Sequence, residues 1–74
     1  MSKMKIKLLE CNSWAGRDLT VGNEYTGVIR LEGEKDTWGA TCLSDCFCFD
    51  EDDVGDDPVC FLSSLKYEII EDKQ

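Results

Sequence analysis

Cys42, Cys46 and Cys48 fall within seven residues, and Asp50, Glu51, Asp52, Asp53, Asp56 and Asp57 follow within the next nine. Thiolates and carboxylates serve as metal ligands, nucleophiles and proton acceptors, so the stretch CLSDCFCFDEDDVGDD is where chemistry is sought first. Zinc takes four ligands in a tetrahedron, usually from paired cysteines two to four residues apart. Cys42 and Cys46 have such a spacing, and Cys48 with Cys60 or Cys11 would complete a set. Cys46 and Cys48, however, stand two apart on a strand, which puts their Cβ atoms ~6.5 Å apart. That is too far for a disulfide and wide for two ligands of one ion. The chain has no histidine, and the neighbouring carboxylates oppose thiolate formation. Free cysteines acting as small apolar core residues are therefore the favoured reading. The set Cys42, Cys46, Cys48 and Cys60 stands as the zinc-binding alternative, and no cofactor is assigned.

A calcium loop of EF-hand type needs oxygens at its first, third, fifth and twelfth positions and glycine at the sixth. Counted from Asp50, Asp52 is third and Gly55 sixth, but Val54 and Phe61 occupy the fifth and twelfth. Catalysis fares no better. Without histidine a cysteine nucleophile has no evident base, and carboxylates this close in sequence do not form an acid/base pair across a cleft. An enzyme is not expected.

An acidic surface remains. Of sixteen acidic residues six lie between 50 and 57, leaving ten against all eight bases in the rest of the chain, a net of −2 out of −8. A concentrated negative field repels nucleic acid and anionic membranes and draws in basic surfaces. It can imitate nucleic-acid phosphates before a Lys/Arg groove, or it can serve only to keep a small domain soluble.

These groups must be carried by very short elements. A chain of 74 residues is one domain (1–74) and buries only about 60% of its unfolded surface. No stretch approaches the ~20 apolar residues of a membrane span. The start MSKMKIKLLEC lacks the features of a secretory signal, and five cysteines, an odd number, suit a reducing compartment. A cytoplasmic location is expected. MKIKLLEC alternates as a strand ending near Cys11, and NSWAGRD is a polar loop. Gly22-Asn23 marks a turn, and YTGVIRLE reads as a second strand with Gly27 at a bulge or bend. GEKD leads to TWGATCL as a third strand. CFCFD alternates cysteine and phenylalanine, VCFL is a further strand, SSL one tight helical turn, and KYEII the last strand, with 71–74 as a frayed tail. The expectation is an all-β fold, a small SH3-like barrel of five to six short strands with one short 3-10 turn.

LTVGNEY at 19–25, DEDDVGDD at 50–57 and SSLKYEII at 63–70 together span most of the chain. The pattern resembles that of small phage and prophage proteins with an SH3-like barrel, in which LTVGKxY, an acid-rich DDxG turn and a closing S-x-F-E-x-I recur. Tyr67 stands where phenylalanine is usual there, and the CLSDCFC insertion is not typical. The resemblance implies that Val21 and Gly22 set a turn and that Tyr67 and Ile69 fill the core. It also implies a phage setting, in which small acidic proteins bind and block host proteins, and it brings no catalytic residues.

The resulting expectation is a non-enzymatic phage protein, monomeric or a homo-oligomer, that inhibits or modulates a host protein in the host cytoplasm. That partner would have a basic surface and would itself handle nucleic acid. Asp50, Glu51, Asp52, Asp53, Asp56 and Asp57 would steer and hydrogen-bond its cations. Trp14, with Arg17 beside it, either anchors the partner or folds back to cap the barrel end. Trp38 is expected in the core.

Overall fold

A computed structural model describes residues 3–73. Strands form where apolar alternation is clean. β1 (Lys3–Cys11) buries Ile6 and Leu8 completely while Lys5 and Lys7 on its other face are exposed. β2 (Glu24–Arg30) follows a turn at Val21-Gly22, where Gly22 takes the φ of 96° that favours glycine. β3 (Cys46–Phe49), β4 (Val59–Phe61) and β5 (Leu65–Lys73) complete the set. The protein is all-β: five antiparallel strands in one sheet, ordered β4-β3-β2-β1-β5. Two 3-10 turns punctuate it, Leu62–Ser64 between β4 and β5 as expected, and Trp14–Gly16, which falls in the segment read as an irregular loop.

The main core cluster forms on one face of this sheet, with Val28, Cys42, Cys46 and Cys48 buried outside it. Ile6, Leu8, Tyr25, Phe47, Phe49, Cys60 and Leu65 make up this cluster. Phe47 packs edge-on to Phe49 with ring centres 4.6 Å apart, and Phe49 meets Tyr25 edge-on at 5.8 Å. Each fully buried phenylalanine contributes on the order of 1.5–3 kcal/mol of transfer free energy.

Four features depart from the reading above. TWGATCL is not a strand. The Asp36 carboxylate accepts the backbone N–H groups of Trp38 and Ala40 at 2.8 and 3.1 Å. Such local bonds compete with a ladder, and only an isolated Lys35–Thr41 bridge forms. Trp38 consequently stands outside the core, 70% exposed at the tip of this turn. Residues 71–73 are not frayed, because β1 begins early enough to pair Lys3, Met4 and Lys5 with Lys73, Asp72 and Glu71; Gln74 lies outside the described residues. Ile69 is half-exposed instead of core: it pairs with Ile6 next to a register shift, on the edge strand of the sheet. Tyr67 does pack against the core, 6.4 Å from Phe47.

Gly27 sits inside β2, paired with Met4 on one side and Phe49 on the other. No bulge occurs there; the demand is for close approach. A Cβ at this position would run into the Cys48 carbonyl oxygen and lie 2.6 Å from the Phe47 ring. We expect Gly27→Ala to cost about 1–3 kcal/mol by overpacking, seen as a Tm lower by about 4 °C or more in a domain of this size. An unchanged melting curve would contradict the close packing of β2 on β3.

Candidate functional site

Two connections meet at one end of the sheet: residues 12–23 between β1 and β2, and residues 50–58 between β3 and β4. The first is pinned by its 3-10 turn. Gly16 is buried so close to Cys11 and Cys60 that a Cβ would approach their sulfurs to 2.6 and 3.3 Å. This fixes Trp14 and Arg17 on either side of Gly16, at the surface.

The second connection is shaped by its own carboxylates. Asp52 is only 8% exposed, and its Oδ1 accepts the N–H groups of Val54 and Asp56 at 3.0 and 2.9 Å. Its backbone N–H donates to the Asp56 carbonyl at 2.7 Å, closing the turn. Asp53 faces the first connection. Its carboxylate accepts the Thr20 hydroxyl at 2.5 Å and the Tyr25 hydroxyl at 2.8 Å, while its N–H donates to the Asp18 carbonyl at 3.2 Å. Hydrogen bonds from Thr20 first and Tyr25 second hold the Asp53 carboxyl below the ordinary carboxylate range. Asp50 forms an ion pair with Lys3 at 2.9 Å. The expectation of six carboxylates all available to a partner is thus corrected: Asp52 and Asp53 build the loop and Asp50 has an internal cation. Glu51 and Asp56 remain exposed, and Asp57 half-exposed.

Between the two connections runs a groove of about 430 Å³ lined by Trp14, Arg17, Asp18, Trp38, Asp52, Asp56 and Asp57, with Ala15, Pro58 and Val59. Five residues singled out from sequence (Trp14, Arg17, Asp52, Asp56, Asp57) therefore come together, whereas Asp50, Glu51 and Asp53 do not line it. Trp14 neither caps the sheet nor packs inside; it is 79% exposed, with the Arg17 guanidinium 4.0 Å over its ring. Arg17 also donates to the Trp14 carbonyl at 3.3 Å. Trp38 reaches across from the Asp36 turn and donates its indole N–H to the Asp57 carbonyl at 3.2 Å. Asp18 and Trp38 were missed in sequence. Only the Asp36 side chain, two residues before Trp38, signalled a turn that would lift that indole out; Asp18 had no local signal.

Carboxylate oxygens of Asp18, Asp52 and Asp56 lie within 4.8 Å of one another. Like charges this close repel, and the groove is electrostatically suited to a cation. Oxygen donors of this kind fit a hard divalent ion or an organic cation, not zinc held by thiolates.

The cysteines are arranged differently. Residues paired across antiparallel strands share a face. Cys60 is paired with Phe47, so it lies in the core, whereas Cys46 and Cys48 pair with Phe61 and Val59 on the opposite face. Cys42 is hydrogen-bonded to Cys46 on that side, and the Cys46 thiol also donates to the Ser44 carbonyl at 3.0 Å. The four cysteines of the zinc alternative are thus divided by the sheet. Burial, reinforced by the Cys42 hydrogen bond, pushes the Cys46 thiol up to about 12, and burial also raises Cys60. Both shifts work against thiolate ligands and nucleophiles.

Two outcomes follow from these arrangements. With a disulfide-exchange reagent at pH 8, the native protein should modify at most the half-buried Cys11 quickly and all five thiols only in denaturant; fast reaction of Cys46 would contradict its burial. Asp53, with its folded-state pKa depressed, contributes stability that is complete above its unfolded value of about 3.9 and is lost as pH falls through the lower folded value. Urea titrations between pH 6 and 2.5 should therefore show a shallower acid loss in Asp53→Asn than in the parent protein. Equal slopes would remove the linkage. Comparison with known proteins returned no matching family model, no matching curated protein and no matching solved structure.

Proposed function

We propose that this protein is a binding module, not an enzyme, and that the Trp14–Trp38 groove with its adjoining acidic loop engages a basic surface of another protein. One observation carries the reading: two exposed indoles and four carboxylates, drawn from three separate segments, line a single groove. Exposed tryptophans in a concave site are the residues most often found as interface anchors. Surrounding negative charge speeds encounter with a basic partner and makes association salt-dependent. The pushed-up thiols of Cys46 and Cys60 speak against a nucleophilic role.

The finer reading is an SH3-like phage protein that hinders a host protein whose own basic groove binds nucleic-acid phosphate. It draws support from the LTVGNEY, DEDDVGDD and SSLKYEII segments and from the single antiparallel sheet with a 3-10 turn between its last two strands. A second reading, a divalent-cation site, is favoured by the convergence of Asp18, Asp52 and Asp56 alone.

Affinity capture from host lysate at 50 and 300 mM salt, followed by titration of the purified partner, tests the first reading. The partner should be basic and released as salt rises. Asp56→Asn/Asp57→Asn, which spares the loop-building Asp52 and Asp53, should weaken it roughly tenfold, about 1.4 kcal/mol. Retained affinity in that variant, with folding intact, would overturn the reading. Calorimetry with Ca²⁺ and Mg²⁺ on the partner-free protein decides the second.

A further inference from the structure

Arg17 gives the groove a feature that its acidity alone does not. Its guanidinium lies 4.0 Å over the exposed Trp14 ring, inside a groove that also holds Asp18, Asp56 and Asp57. The chain therefore already seats one guanidinium at this aromatic rim. That seat is weakly held. Among the described residues its guanidinium makes one stacking interaction on a surface indole and one 3.3 Å hydrogen bond to the carbonyl of Trp14 itself.

We propose that the groove is a socket for an arginine side chain of the partner protein, and that Arg17 is a resident competitor displaced when it binds. This rests on the binding reading above and names the group recognised. Charge complementarity selects a cation, since four carboxylates face one internal guanidinium. Geometry selects arginine over lysine. A planar guanidinium stacks on an indole face while its N–H fork engages carboxylates in pairs, whereas an ammonium is a compact point charge that does neither. Size agrees, because about 430 Å³ lies at the small end of ligand sites and suits one long side chain with its flanking backbone. The groups meeting the incoming guanidinium are Trp14, Trp38, Asp18, Asp56 and Asp57, all of which line the groove. Asp52 is committed to its own turn and contributes field only.

The test is fluorescence anisotropy of a dye-labelled tetra-arginine peptide titrated with the full-length protein, against tetra-lysine and tetra-citrulline peptides of equal length. Tetra-arginine should bind at least fivefold more tightly than tetra-lysine, and tetra-citrulline should not bind. Arg17→Ala should tighten tetra-arginine about two- to fivefold, the worth of one exposed cation–π contact. Trp14→Ala should abolish the preference for arginine over lysine while the far-UV circular dichroism and Tm stay unchanged, since this indole is largely exposed. Equal affinity for arginine and lysine peptides, or weaker binding in Arg17→Ala, would overturn the proposal. So would Ca²⁺ binding that excludes tetra-arginine from the wild-type protein. Should a basic partner remain sensitive to Asp56→Asn/Asp57→Asn while the arginine preference fails, the socket is lost and the broader binding reading stands. Loss of both removes that reading as well.

Discussion

The Tyr25 hydroxyl is the point at which core and surface are joined. Its ring is buried against Phe49, while its oxygen donates to Asp53 and accepts the backbone N–H of Thr20. One rigid side chain thus ties the two connections that frame the groove to the packed interior. The 52–56 turn could be closed by Asp52 alone, but it is the Tyr25–Asp53–Thr20 bonds, with the Asp53 backbone N–H donating to the Asp18 carbonyl, that hold it against the 12–23 segment. The Trp14 segment and the acidic loop stand together because a core residue reaches out between them.

Seen this way, the acidic loop has a division of labour that its composition conceals. Carboxylates are strong acceptors of local backbone N–H groups, and a loop with six of them can spend some on its own architecture. Asp52 and Asp53 do so, and Asp50 is answered by Lys3. What reaches solvent in the groove is a smaller set, focused by the low-dielectric walls of two indoles and Pro58. A total of −8 is therefore a poor guide to the field a partner meets.

Much of the fold was legible because it rests on period-two alternation. β1, β3, β4 and the start of β5 bury the faces that their residue patterns indicate. The departures have different causes. TWGATCL has strand-like residues, but Asp36 two positions ahead of Trp38 captures the backbone locally, and no pattern of apolar residues records that. Trp38 at the start of a strand would belong to the core, but without that strand its polar edge finds a carbonyl at the surface. The tail is ordered by a partner strand 60 and more residues earlier in the chain, which is invisible locally. Of the groove, Trp14, Arg17 and the acids could be named in advance, but their convergence with Asp18 and Trp38 depends on long-range contacts. The alternation in CFCF separated cysteines from phenylalanines correctly, and the thiols of Cys46 and Cys48 serve as small apolar groups on the second buried face of this four-residue strand.

Both indoles of the chain stand on the rim of one groove, and neither belongs to the core cluster. Intrinsic emission from this protein is consequently a reporter of what occupies that rim. It reports loss of the packed interior only indirectly, through the Arg17 and Asp57 contacts of the two indoles; the interior itself registers in the ultraviolet signals of Tyr25, Tyr67 and the paired phenylalanines.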